Sequence, residues 1–119
     1  MGFFSSKPKE VFPWINLSSS EQLHELMQAS ESKPVLLFKH STRCSISSMV
    51  LNRFEQTMDP AKATCVYLDL LVYRPISAEI EALTRVQHQS PQAILIRNRE
   101  VIYSESHTGI SAAEILKLI

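Results

Sequence analysis

Val35-Leu36-Leu37-Phe38-Lys39-His40-Ser41-Thr42-Arg43-Cys44-Ser45-Ile46-Ser47-Ser48-Met49-Val50-Leu51-Asn52-Arg53-Phe54 is the stretch that decides the fold. The apolar run from Val35, set off by Lys33-Pro34, predicts a buried strand over Val35 to Lys39. The run from Ile46 to Phe54 is helix-like, so Cys44 opens a helix, which Asp59-Pro60 ends. Cys44 therefore stands at a strand-to-helix junction. A helix start offers free N–H groups and a positive dipole end, and both favour the thiolate, the nucleophilic form of cysteine. A Cys-x-x-Cys redox motif would carry its second cysteine at position 47, where this chain has Ser47. The nucleophile is present and a local resolving thiol is not.

Working outward, Trp14-Ile15-Asn16-Leu17 predicts a short strand. Ser18 with Glu21 three residues on fits a capping box, and Leu23, Leu26 and Met27 follow at helical spacing in a first helix that runs to about residue 31. Downstream, Thr64 to Leu70 reads as a third strand, and Pro75 opens a shorter helix carrying Ile76, Ile80 and Leu83. Ala93–Ile96 and Val101–Tyr103 are strands joined by the polar turn Arg97-Asn98-Arg99-Glu100, a hairpin signal. After Gly109, Ser111 caps a last helix with Ile115, Leu116 and Ile119 on one face. The order β-α-β-α-β-α-β-β-α implies parallel strands with helical crossovers and an antiparallel closing hairpin. The fold class is α/β: a thioredoxin-like α/β/α sandwich around a mixed sheet.

Composition sets the bounds. With 119 residues the chain makes one domain, large enough for a core of its own. Residues 1–13, with Pro8 and Pro13, read as an N-terminal arm and 14–119 as the domain. Twelve basic residues balance twelve acidic ones, which gives no electrostatic reason to expect nucleic acid or a membrane surface as partner. No apolar run approaches the ~18–20 residues that span a bilayer. Met1-Gly2-Phe3-Phe4-Ser5-Ser6-Lys7 lacks a secretory core, and Gly2 with Ser6 fits a myristoylation signal only superficially. Two cysteines without a signal peptide point to a reducing, cytoplasmic setting.

Three separated features converge: Cys44 at its helix start, Ser90-Pro91 just before a strand, and Gly109 after the last strand. This ordering resembles the thioredoxin superfamily, in which the proline before the penultimate strand is cis and faces the active-site cysteine. The resemblance implies a cis Ser90–Pro91 bond. It also implies that His107 to Gly109 lie beside that loop, with the Arg97-Asn98-Arg99 turn at the far end. Phe38 to Ser47 is more closely similar to the monothiol bacilliredoxins, the YtxJ-like branch, whose signature reads Thr-Cys-Pro-Ile-Ser. Lys39-His40-Ser41, Ser90-Pro91-Gln92 and Ser106-His107 match as well, so the likeness spans residues 14 to 119. Two signature positions differ, with Arg43 for Thr and Ser45 for Pro. Without the proline, the first helical turn is less pre-set.

What the family implies is disulfide exchange on proteins that carry a mixed disulfide with bacillithiol or a similar low-molecular-weight thiol. That thiol is a co-substrate, and no bound cofactor is expected. The candidate catalytic residues are Cys44 and Ser47, the latter as a hydrogen-bond donor to the thiolate. Arg43, Ser45, His40, Ser90, Pro91 and Gly109 are candidates for binding the thiol-bearing substrate. Arg43 would favour the thiolate and could pair with a carboxylate of the co-substrate, or it is simply a solvated loop residue. His40 acts on Cys44 directly only if its ring points at the sulfur. The backbone after Ser90 suits pairing with a peptide-like ligand.

Cys65 lies in an apolar strand and reads as a small buried hydrophobe; as a resolving partner it would need its Cα within ~7 Å of that of Cys44. His24 and His88 are scattered and no spacing suggests zinc. Lys39 receives no role. Two other classes stay open. One is a thioredoxin-like binding module whose Cys44 is vestigial or a regulatory thiolation site. The other is an iron–sulfur carrier built from Cys44 of two protomers.

Overall fold

A computed structural model describes residues 11–119. The Gly2–Ser6 pattern and most of the expected arm lie outside the described residues. The elements are β1 (Ile15–Asn16), α1 (Ser20–Ala29), β2 (Val35–His40), α2 (Ser45–Thr57), β3 (Thr64–Asp69), α3 (Arg74–Thr84), β4 (Gln92–Arg97), β5 (Glu100–Ser106) and α4 (Ala112–Lys117), with a 3-10 turn at His107–Gly109 before α4. One five-stranded sheet runs in the order β1-β3-β2-β4-β5.

The parallel part of the sheet is β1, β3 and β2. The antiparallel part is wider than an edge, because β4 itself runs against β2 at the centre. Chain length gives the reason. The eleven residues of α3 carry the chain about 16 Å down the sheet at ~1.5 Å per residue. The segment 85–91 that follows has no helix or strand and can reach at least as far back at ~3.3 Å per residue. The chain so returns to the end it left, and the next strand must run the other way.

The two faces of the sheet bury separate cores. Leu36, Phe38, Cys65, Ala93 and Leu95 pack with Val50, Phe54 and Met58 at α2 and with Ala112 and Ile115 of α4. Val35, Leu37, Val66, Leu68, Ile94 and Ile96 pack with Leu23 of α1 and with Ile76 and Ile80 of α3. This is the expected α/β/α sandwich. Each Val, Leu, Ile, Phe or Met among them contributes about 1.5–3 kcal/mol on leaving water. All six residues of β2 are buried, as befits a central strand covered on both faces. Trp14 ties the edge to α2, stacking on Phe54 with ring centroids 5.8 Å apart and donating from Nε1 to Glu55 Oε2 at 2.6 Å.

Local signals place the element ends. The first helix is capped by Ser19 rather than Ser18: the Ser19 hydroxyl accepts from the Gln22 N–H at 3.1 Å. Gln22, not Glu21, is then the third helical residue, and its Oε1 reaches back to the Ser18 N–H at 2.9 Å. Pro60 lies past the end of α2, whose C-cap is Met58. Asn98 and Arg99 form the hairpin loop, both at positive φ (53° and 64°), which matches the twist of the strands they join. The loop docks on the C-cap of α1: Asn98 N–H donates to Ser30 O and Arg99 N–H to Ser30 Oγ, each at 2.9 Å. It lies at the start of β2, so the end of β2 that leads to Cys44 is the opposite end of the sheet.

Candidate functional site

Cys44 is the N-cap of α2, with extended backbone (φ −107°, ψ 119°), and is half-buried. Its N–H donates to Ser41 O at 3.2 Å, and its carbonyl accepts the first helical bond from Ser48 N–H at 3.1 Å. The turn at 41–43 is thereby fixed to the helix it introduces. The Cys44 side chain makes no capping bond, and no acidic residue lies in the first turn. Cys44 thus stands at a helix start whose first N–H groups have no intrahelical partner, with no carboxylate in that turn to oppose a thiolate.

Ser47, three residues on, is fully buried. Its hydroxyl accepts from the Ser41 N–H at 3.2 Å and lies 2.7 Å from His40 Nδ1. His40, the last residue of β2, is only 4 % exposed, so its ring is part of the interior rather than a surface contact. Burial lowers its pKa from the usual histidine value, while Asp69 and Glu55 pull the other way more weakly. The same strand end thus delivers an imidazole to the hydroxyl that sits one turn into the helix. The ring nitrogen whose contact the structure resolves is committed to Ser47.

Arg43 and Ser45 are exposed on either side of Cys44. The Ser90–Pro91 peptide bond is cis. Pro91 is buried, and its carbonyl accepts from His107 N–H at 2.9 Å, which holds the end of β5 beside the proline. Gly109 lies further round the same turn, lining a hollow of about 310 Å³ with Arg53, Phe54 and Thr57 of α2. Arg53 clamps that turn, its Nη2 donating to Thr108 O at 2.8 Å and to Ile110 O at 3.1 Å. Arg53 is nine residues along from Cys44, about 13 Å at ~1.5 Å per residue. His107 is therefore the residue of this turn joined to the proline, and Gly109 faces the lower half of the helix.

Cys65 is buried at the other end of the sheet, paired in register with Leu36, while Asp69 is paired with His40. Four residues of strand separate Cys65 from Asp69, about 13 Å at ~3.3 Å per residue. Its thiol contacts Ala63 O at 3.7 Å, and burial pushes its pKa up to about 11, with Lys33 lowering it less. Both cysteines are free thiols. A buried, protonated thiol so far away does not resolve a disulfide at Cys44.

The sequence left one residue unassigned that the structure makes conspicuous. Lys39 is fully buried and its Nζ has no hydrogen-bond partner among the described residues. Ser90 Oγ and Gln92 Oε1 are unpartnered as well, and Gln92 is the cross-strand partner of Lys39. Burial lowers the Lys39 pKa to about 8, against a weaker opposite pull from Glu81. Among the described residues, no group of three or more His, Cys, Asp or Glu is arranged to hold a metal ion, and no helix is long and apolar enough to cross a membrane.

Comparison with known proteins agrees with this geometry. The family model described as "Monothiol bacilliredoxin BrxC" matches residues 15–115. A solved structure described as a candidate oxidoreductase with a thioredoxin fold is 30% identical and superposes with a TM-score of 0.76, covering 87% of this chain and 90% of its own. The thioredoxin of Malassezia sympodialis is 16% identical, with a TM-score of 0.70 and coverage of 95% and 93%. Thioredoxin NaTrxh from Nicotiana alata is 15% identical, with a TM-score of 0.70 and coverage of 96% of each chain. These last two share the fold.

Proposed function

The chain belongs to the monothiol bacilliredoxin family, and from that premise we propose that it removes bacillithiol, or a similar low-molecular-weight thiol, from mixed disulfides on proteins. The coarser role, a thiol–disulfide oxidoreductase of thioredoxin fold, follows from family and fold together. The observation that carries the finer reading is Cys44: a half-exposed thiol on a helix cap with Ser47, not cysteine, one turn on.

The chemistry needs one sulfur. The Cys44 thiolate attacks the low-molecular-weight sulfur of the mixed disulfide. A new S–S bond forms to Cys44 as the old one breaks, and the client protein leaves as a thiolate that takes a proton from solvent. A second molecule of the small thiol, as thiolate, then attacks that same small-thiol sulfur. Cys44 is released as a thiolate and the two small-thiol units leave as their disulfide, so the reducing equivalent given to the client is the one that the second molecule supplied. Ser47 cannot intercept the intermediate, and Cys65 is out of reach. The partners are S-thiolated proteins and the free thiol, and the setting is a reducing compartment such as the cytoplasm, where that thiol is in supply.

Intact-mass spectrometry of the Cys65→Ser protein, incubated with a bacillithiol-mixed protein disulfide or its glutathione counterpart, tests this. The expected result is a bacillithiol adduct on Cys44 that disappears on adding free bacillithiol. Preference for glutathione keeps the chemistry and changes the co-substrate. An adduct that forms and never turns over would make the protein a thiolation target instead.

A further inference from the structure

His40 and Ser47 are in contact, and Cys44 stands three residues before Ser47 at the start of the same helix, so the proton of the Ser47 hydroxyl has two places to go. A serine hydroxyl has one proton to give and two lone pairs to receive with. One lone pair of Ser47 takes the Ser41 N–H. The 2.7 Å contact with His40 Nδ1 then carries either the ring's proton or the hydroxyl's. With the proton on Nδ1, the second lone pair is filled and the hydroxyl proton is free to point elsewhere. With Nδ1 bare, the ring consumes that proton. Position supplies a candidate: Cys44 is the N-cap and Ser47 the third residue of α2, two positions that lie within side-chain reach of each other across the first helical turn, as a capping box shows.

We infer that His40 is a positioning residue for the reaction at Cys44: its Nδ1–H holds the Ser47 hydroxyl as an acceptor and so turns that hydroxyl's proton toward the Cys44 thiolate. This rests on the function proposed above for its meaning, though not for its test. Ionising Cys44 and placing a proton on Nδ1 favour each other, so the two groups are linked without touching. The groups around the ring are Asp69 and Tyr67 from β3 and Glu55 from α2. Both carboxylates favour the protonated ring, while burial, the larger effect, favours the neutral one. The neutral ring therefore does this work as the Nδ1–H tautomer, and acid adds a second proton without disturbing the Nδ1–H bond.

The test reads the thiolate directly, as the pH dependence of iodoacetamide alkylation at Cys44 in a Cys65→Ala background. A hydrogen bond to an ion is strong enough to move such a midpoint by about one pH unit. Ser47→Ala should raise the midpoint by about that much, His40→Leu, which leaves the hydroxyl in place but unheld, should raise it by less, and the double variant should go no further than Ser47→Ala. His40→Asn, whose amide N–H replaces Nδ1–H, should restore the midpoint. A folded His40→Leu protein with an unmoved midpoint, or additive effects in the double variant, overturns the inference. Should His40→Leu not fold, ¹⁵N shifts of His40 in the unsubstituted ring decide. Nδ1–H is expected when Cys44 is thiolate, with a change in tautomer on alkylation. A ring that stays Nε2–H throughout overturns it. The expected midpoint shifts without transfer of a small thiol support this inference and remove the proposed function. Transfer with an unmoved midpoint does the reverse.

Discussion

The two ends of the sheet are built differently. At the hairpin end, the buried polar groups meet partners: Ser30 supplies both its carbonyl and its hydroxyl to the loop N–H groups, and that hydroxyl donates onward to Met27 O at 2.6 Å; at the surface beside them, Arg99 pairs with Glu31. At the cysteine end, Lys39 Nζ, Ser90 Oγ and Gln92 Oε1 are buried without partners among the described residues, and the sulfur of Cys44 caps no N–H of its helix. The two cysteines follow the same division, Cys65 being raised to about 11 by burial toward the first end and Cys44 half-exposed at the second. One end is satisfied and holds the fold together. The other leaves polar groups uncompensated, a cost that functional sites bear and that the rest of the structure must offset.

The contrast is tested most severely at Cys44 itself. Cys44→Ser should bring small-thiol transfer down to background, while the denaturation midpoint barely moves; transfer retained in that variant would take Cys44 out of the chemistry. Next is Lys39. Replacing a buried, unpaired amine with an apolar chain of similar length, Lys39→Met, should stabilise the protein by about 1–3 kcal/mol at pH 7, read by urea unfolding.

The pH dependence has a definite sign. The folded-state value of about 8 lies below the ordinary 10.5, so between those values the unfolded chain binds more protons and stability should rise with pH. Below about 8 both states carry the proton and Lys39 contributes no slope. Lys39→Met should remove the alkaline rise. A variant less stable than the parent would show that the amine has a partner and that the two ends are alike. The smallest effect is expected at the satisfied end, where Ser30→Ala should lose about 1–2 kcal/mol. No loss there would mean that the hydrogen bonds at the hairpin are not what distinguishes it.

Much of this was legible in residue order. Proline and apolar runs marked β2 and α2, and the position of Cys44 between them followed directly. The polar turn around Asn98 marked the hairpin. What stayed hidden depended on atoms far apart in the chain. Every residue of β2 is buried, so no alternation of polar and apolar side chains could reveal that Lys39 and His40 face opposite layers. The His40–Ser47 contact crosses a turn whose geometry depends on Ser41 bonding both Cys44 and Ser47. Three consecutive serines cap almost equally well, so the start of α1 was decided by how Gln22 folds back. The direction of β4 depended on the segment 85–91, which has no periodic pattern to read.

The sheet's margins are also unequal. β1 has only two residues, and Pro13, just before it, has no N–H to offer. A neighbouring chain seeking to extend the sheet there finds almost no ladder to join. The opposite margin, β5, is seven residues long but carries Glu100 and Glu105. A second copy laid alongside it would bring carboxylates toward carboxylates. The fold therefore discourages strand-by-strand polymerisation at both sides by different means, shortness at one and charge at the other.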